Sequence, residues 1–119
     1  MLEIKADNLD GFTVVECTGR IVRDDSVFKL RDFVLDQEDA NTILLDLSRV
    51  KDMGGAAVGM LAYLDHWARE HNIELKLFSP SKEVMKALLQ NGAVNNFEIV
   101  RLHELQVMIC EDHHFRVAA

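Results

Sequence analysis

Two adjacent glycines lie where a strand passes into a helix, and they offer backbone groups rather than a reactive side chain. Gly54 and Gly55 follow an apolar run over 42–47, which is typical of a strand buried on both faces. They precede apolar residues at helical spacing over 57–68. The first amides of a helix are unpaired and partly positive, and glycine lets another molecule approach them. The sequence therefore makes this loop the first candidate for a binding site; a tight turn without further role is the alternative.

The acidic and histidine side chains near this loop form no recognisable catalytic set. Asp46 and Asp52 flank the turn, whereas Asp65 and His66 are adjacent in a helix, where neighbours point to different sides. No nucleophile is paired with a base, as acid–base or covalent chemistry requires. We therefore expect no enzyme activity and interpret Asp65 and His66 as solvated helix residues.

Possible metal ligands are concentrated near the C-terminus. They are Cys110, Asp112, His113 and His114, with His71 and His103 as residues that could approach them. Their spacing matches no zinc motif, which favours an exposed tail. The segment 54–59 contains neither Gly-x-Gly nor a Lys-Ser/Thr pair, so no nucleotide fingerprint is present. The sequence predicts neither a metal nor a cofactor.

Composition limits the class of protein and the kind of partner. The chain has 119 residues, of which 49% are hydrophobic and 28% charged, which predicts a single domain over 1–119 with 113–119 as a loose tail. A net charge of −7 argues against nucleic-acid binding. No apolar run approaches the ~20 residues of a membrane span, so we expect no direct membrane insertion. With only two cysteines, Cys17 and Cys110, a cytoplasmic location is the natural expectation.

Periodicity predicts an α/β fold in the order β-β-α-β-α-β-α-β-α. Strands are expected at 2–7, 12–18, 42–47, 74–78 and 97–101, and helices from about 25 to 37, 55 to 71, 80 to 91 and 103 to 112. Such alternation predicts a mixed, mostly parallel sheet of about five strands with four helices. We further expect Gly19 to end the second strand, Asn72 to take a left-handed cap position, and Ser79 to cap the third helix before Pro80.

The helices are expected to bury defined apolar faces. The predicted inward residues are Val27, Leu30, Phe33 and Val34; Ala57, Leu61, Leu64 and Ala68; Val84, Met85, Leu88 and Leu89; and Leu105, Met108 and Ile109. A second stripe on the second helix comprises Met60, Leu64, Trp67 and His71. That stripe indicates either a helix more buried than average or an apolar strip that faces a partner.

Three segments of the chain resemble a known family. They are Leu45-Asp46-Leu47-Ser48-Arg49-Val50, Ser79-Pro80-Ser81, and Leu88 to Gly92. Together with the predicted order of elements, they are similar to a STAS domain, the fold of bacterial anti-sigma factor antagonists. In that family the strand leads into a loop that reads Asp-Ser-Ser-Gly-Leu-Gly. The resemblance implies a partner kinase, itself the anti-sigma factor, that phosphorylates the first serine of the loop.

This chain departs from the family in that loop. Counted from Asp46, the family's aspartate falls on Gly54, the phosphoacceptor on Gly55, the next serine on Ala56 and the glycine on Ala57. An alignment that gives Asp52 the aspartate position places Met53 at the acceptor instead. No serine or threonine lies between residues 48 and 79. Regulation by phosphate at this loop is therefore lost.

The resemblance leaves two functions open. The domain either docks a signalling partner as an anti-sigma factor antagonist without the phosphorylatable serine, or serves as a non-catalytic adaptor in a larger signalling or transport assembly. Binding sites in parallel sheets lie beyond the carboxyl ends of the strands. The predicted partner-binding residues there are Arg23, Asp24, Asp25, Asp52, Met53, Gly54, Gly55, Ala56 and Ala57.

Overall fold

One mixed sheet organises the computed structural model, which describes residues 1–22 and 25–104. Its strand order is β1-β2-β3-β4-β5; β1 is antiparallel to β2, and the other neighbours are parallel. The elements are β1 Leu2–Leu9, β2 Phe12–Ile21, α1 Asp25–Leu35, β3 Thr42–Met53, α2 Gly55–Glu70, β4 Glu74–Phe78, α3 Lys82–Gln90, a 3-10 helix Val94–Asn96 and β5 Glu98–Val100. The α/β class and the mostly parallel sheet are confirmed.

The core lies between one face of the sheet and the three α-helices. Inward side chains of all three helices join inward side chains of β2, β3 and β4 in one buried cluster. Ala57, Leu61, Leu64 and Ala68 are fully buried, as their spacing predicted. In α3 the prediction was wrong for Leu89, which is 62% exposed because it lies outside the buried face formed by Val84, Ala87 and Leu88. Phe33 and Met85 are only partly buried.

Residues 102–104 are helical, which agrees with the start of the fourth predicted helix. Its predicted inward residues Leu105, Met108 and Ile109 lie outside the described residues, as does the predicted tail 113–119. The described residues form one sheet with one core.

Strand β3 is longer than the sequence predicted. We expected it to end at Leu47, but it continues to Met53. Its inward residues are spaced by two up to Leu47 and then by three, at Val50 and Met53. The register with β2 shifts twice, between Glu16 and Thr18 and again between Gly19 and Arg20. Each shift gives β3 one extra residue, which is the signature of a β-bulge and breaks the alternation that identifies strands.

Two polar side chains hold the bulged part of β3. The Asp46 carboxylate accepts the Ser48 amide at 3.0 Å and the Ser48 hydroxyl at 2.7 Å. Strand β4 pairs with β3 only as far as Asp46. Beyond Asp46, Ser81 takes the place of β4 as the hydrogen-bond donor to β3. The Ser81 amide donates to the Leu47 carbonyl at 3.2 Å, and the Ser81 hydroxyl donates to the Val50 carbonyl at 2.7 Å.

Ser81, rather than Ser79, also begins α3. Its hydroxyl oxygen accepts the Val84 amide at 3.3 Å, and the helix starts at Lys82. Ser79 has φ +47° and donates its amide to the Val100 carbonyl at 2.8 Å, so it belongs to the turn after β4. The predicted cap at Ser79, with Pro80 as first helical residue, was therefore wrong.

Glycine at position 19 continues β2 instead of ending it. Gly19 has φ +118°, and a Cβ there would lie 2.1 Å from the Met1 carbonyl oxygen. That carbonyl accepts the Arg20 amide at 3.1 Å, so the strand reaches Ile21. The predicted left-handed cap of α2 is confirmed, with Asn72 at φ +57°.

The double role of Ser81 predicts a large effect of Ser81→Ala on stability. The variant loses a helix cap and leaves the Val50 carbonyl unpaired, so we expect the free energy of unfolding to fall by about 2 kcal/mol. Ser48→Ala is the matched control, because within the described part of the chain the exposed Ser48 hydroxyl bonds only to Asp46. This variant should cost less than about 1 kcal/mol. Urea unfolding of both variants measures the difference. Equal losses would contradict the role assigned to Ser81.

Candidate functional site

The carboxyl ends of β2 and β3 meet at one edge of the sheet, and their backbones touch there. Ile21 is paired with Met53, and the Gly54 amide donates to the Ile21 carbonyl at 3.1 Å. A Cβ on Gly54 would lie 2.7 Å from the Val22 carbonyl oxygen, closer than such atoms approach in proteins. Glycine at 54 is thus required by the close approach of two backbones.

The next residue opens α2 and has free space. The Gly54 carbonyl accepts the Ala57 and Val58 amides at 3.1 and 3.2 Å, so helical bonding begins here. The helix has no side-chain cap and no acidic residue in its first turn. Its partly positive end is therefore not neutralised by a carboxylate of that turn. Among the residues that the structure describes, a Cβ on Gly55 would meet only the Asn91 side-chain oxygen, at an ordinary 3.4 Å.

The predicted partner-binding residues divide by exposure. Asp52, Gly55 and Ala56 are exposed and Gly54 is partly exposed, whereas the side chains of Met53 and Ala57 are buried in the core. If the predicted site binds a partner, those two residues support it from beneath.

The segment after β2 also reaches this edge, because β2 and β3 are parallel. Asp25 is exposed at the start of α1, and the Val22 amide donates to the Ser26 hydroxyl at 3.2 Å. Arg23 and Asp24 lie outside the described residues.

One exposed residue of this edge was missed by the sequence analysis. Asn91 follows α3, and its amide nitrogen donates to the Ala87 carbonyl at 2.8 Å, while its oxygen faces the Gly55 position. No local signal in the sequence places the end of α3 beside the start of α2. We call Asp52, Gly55, Ala56 and Asn91 together the α2 surface.

Uncharged residues extend the α2 surface along the helix. Gly59 and Tyr63 are exposed one and two turns after Gly55, and Tyr63 is 52% exposed. No charged side chain occurs between Asp52 and Asp65. The arrangement exposes backbone, small side chains and the Tyr63 ring, with the charges confined to its ends.

Other titratable groups of the described residues form ion pairs along α2 or are buried. Asp65 pairs with Arg69 at 2.9 Å, and His66 with Glu70 at 3.3 Å, each along α2. Burial, and then the nearby negative charge of Asp46, raises the pKa of the Cys17 thiol to about 12. Cys17 therefore stays protonated at neutral pH and is no nucleophile.

The described residues contain no group of three or more histidine, cysteine, aspartate or glutamate side chains that could hold a metal ion. His71 stacks on Trp67 with ring centroids 5.0 Å apart, and its Nδ1 lies 2.8 Å from the Trp67 carbonyl. Cys110, Asp112, His113 and His114, for which the sequence favoured an exposed tail, lie outside the described residues.

The second stripe of α2 belongs largely to the core. Met60 and Trp67 are partly buried and pack against the core cluster, and Leu64 is fully buried. This packing favours the interpretation of α2 as a helix more buried than average. Within the described part of the chain, no helix is long and apolar enough to cross a membrane.

A protein-family model matches most of this chain. The model for the STAS domain matches residues 3–106. The chain belongs to the STAS domain family. The family resemblance given by the strand and loop segments is thereby confirmed. A sequence comparison with curated proteins gave no match.

Solved structures share the STAS fold at low sequence identity. The anti-sigma factor antagonist SpoIIAA in its unphosphorylated form is 15% identical, with a TM-score of 0.73 and 96% of each chain covered. A putative anti-sigma factor antagonist from Thermotoga maritima is 16% identical, with a TM-score of 0.74, covering 88% of this chain and 91% of that one. SLC26A9 is 12% identical, with a TM-score of 0.67 over 92% of this chain but 21% of its own.

The contrast between the two glycines predicts opposite results for the same substitution. Gly54→Ala forces Cβ against the Val22 carbonyl, and we expect a loss of about 1–3 kcal/mol in the free energy of unfolding. Gly55→Ala has room and removes backbone freedom from the unfolded chain, so the change should be neutral or stabilising by up to about 1 kcal/mol. Thermal unfolding of both variants decides the matter. A tolerated Gly54→Ala would show that the backbones at 22 and 54 are not held together.

Proposed function

We propose that this STAS domain is a non-catalytic protein-binding module of the anti-sigma factor antagonist type, and that its α2 surface docks the partner. The observation that carries the proposal is the exposed start of α2, where Gly55 and Ala56 present an uncapped helix end beside Asp52. The structural neighbour SpoIIAA, an anti-sigma factor antagonist, supports the class of partner, an anti-sigma factor or related signalling protein.

The proposed domain lacks the usual switch. Glycine at 55 has no hydroxyl, and no serine or threonine lies between residues 48 and 79. A phosphoserine at this point would add about −1.5 to −2 charges at pH 7. Because this loop has no hydroxyl to accept a phosphate, the α2 surface keeps the charge of an unphosphorylated antagonist.

A second candidate function is that of an adaptor within a larger assembly. The observation in its favour is that the same fold covers about a fifth of the SLC26A9 chain, so this fold also occurs within a much longer protein. The partner then would be a larger complex rather than a kinase-like anti-sigma factor. The identity of a protein captured from the cytoplasm of the source cell separates the two functions.

Gly55→Glu tests the docking surface that both functions use. In the free domain the carboxylate gains about 0.3–1 kcal/mol from the helix end. Gly55 has no positive φ and has room for a Cβ, so the melting temperature should be unchanged or slightly raised. In a complex the same charge is buried without a partner, at roughly 2–5 kcal/mol. We expect affinity for the captured partner to fall by about 30-fold to several thousand-fold.

Two controls keep the interpretation of Gly55→Glu specific. Gly55→Ser adds a side chain without charge and should weaken binding far less. Asn95→Glu adds the same charge at an exposed residue of the 3-10 helix and should leave affinity unchanged. Isothermal titration with all three variants gives the comparison. Unchanged affinity of a folded Gly55→Glu variant would remove the α2 surface as the docking site.

A further inference from the structure

Strand β1 is an open edge of the sheet with a defined set of outward backbone groups. The Met1 carbonyl points toward β2, where it accepts the Arg20 amide. Because backbone groups alternate in direction along a strand, the outward groups of β1 belong to Leu2, Ile4, Ala6 and Asn8. The Leu9–Phe12 pair closes the two-residue turn between β1 and β2. Residues that close such a turn direct their backbone groups at each other, so Leu9 points toward β2 and Asn8 points outward.

At one end of this edge, an outward backbone group of β1 already has a hydrogen-bond partner. The Lys29 ammonium donates to the outward Leu2 carbonyl at 2.5 Å. The backbone groups of Ile4, Ala6 and Asn8 that point away from β2 have no strand partner among the described residues. The opposite edge of the sheet, β5, is only three residues long.

The side chains of the open edge alternate in charge. Glu3, Lys5 and Asp7 share one face of β1 and are exposed. Neither Lys5 nor Asp7 makes a hydrogen bond or an ion pair among the interactions of the described residues. Charged side chains on an edge commonly oppose strand pairing. Here their order is self-complementary, because Lys5 and Asp7 flank Ala6 symmetrically.

We propose that two copies of this chain pair through β1, antiparallel and with their twofold axis at Ala6. In that register Ala6 pairs with itself and Ile4 with Asn8 of the partner copy, which uses all the open backbone groups in roughly six hydrogen bonds. Lys5 then lies opposite Asp7 of the partner copy in the close, non-hydrogen-bonded positions, twice by symmetry. The two sheets join into one continuous sheet with both cores on the same side.

Such an interface is small, so the dimer is concentration-dependent. A single strand pair buries less than a standard protein interface of about 1,600 Å², and the net charge of −7 on each copy opposes association. We expect a dissociation constant of about 10 μM or weaker, and association that does not use the α2 surface.

Ala6→Pro tests the backbone part of the proposal. The Ala6 amide points outward, so proline removes no hydrogen bond with β2 and is tolerated on an edge strand. Sedimentation equilibrium of the full chain at rising concentration should show monomer and dimer for the original protein but monomer alone for Ala6→Pro. Circular dichroism and a melting curve confirm that the variant is folded.

If Ala6→Pro fails to fold, amide exchange of the original protein gives the same test. The amides of Ile4, Ala6 and Asn8 should gain protection as the protein concentration rises.

Charge reversal tests the register. Asp7→Lys and Lys5→Asp each place like charges opposite one another, and each should weaken the dimer by at least about tenfold. The double variant Lys5→Asp/Asp7→Lys restores opposite charges and should recover the original dissociation constant. A chain that stays monomeric at millimolar concentration would overturn the proposal. So would a dimer that is unaffected by Ala6→Pro, or a double variant as weak as the single ones.

Discussion

The second half of β3 continues after β4 has ended, and its carbonyl groups must find donors outside the sheet. Ser81 supplies two of them, one from its amide and one from its hydroxyl, while the same hydroxyl caps α3. Unpaired buried carbonyls are costly, so this one residue fixes the path of β3 and the start of α3 together. The path brings Met53 beside Ile21, and the contact of Gly54 with the Val22 carbonyl follows from it.

The segments that carry the family resemblance therefore have mainly a structural role. Asp46 and Ser48 close the first bulge, and Ser81 holds the strand beyond it. Together these residues fix the position of the start of α2 at the surface. Gly55 and Ala56 are exposed there on a helix whose inner residues are fully buried. The proposed docking surface, supported in this way, would lose little conformational freedom when a partner binds.

Periodicity predicted most of the fold because most elements bury one regular face. The inner face of α2, its left-handed cap at Asn72 and the mostly parallel sheet all follow from spacing and turn chemistry. The end of β3 could not be predicted, since two bulges change the inward spacing from two to three after Leu47. The cap at Ser81 was missed because the choice between two nearby serines depends on the Val50 carbonyl, which is remote in sequence. Asn91 joined the candidate site only through the packing of α3 beside α2.

Amide NMR of the labelled domain, free and with the captured partner, tests the docking proposal most directly. Because the start of α2 is uncapped and exposed, its amides should sense a bound partner without any substitution. The account predicts that the largest shift changes fall on Asp52, Gly55, Ala56 and Asn91. Changes confined to β1 or to the far face of the sheet, with the α2 surface unaltered, would contradict it.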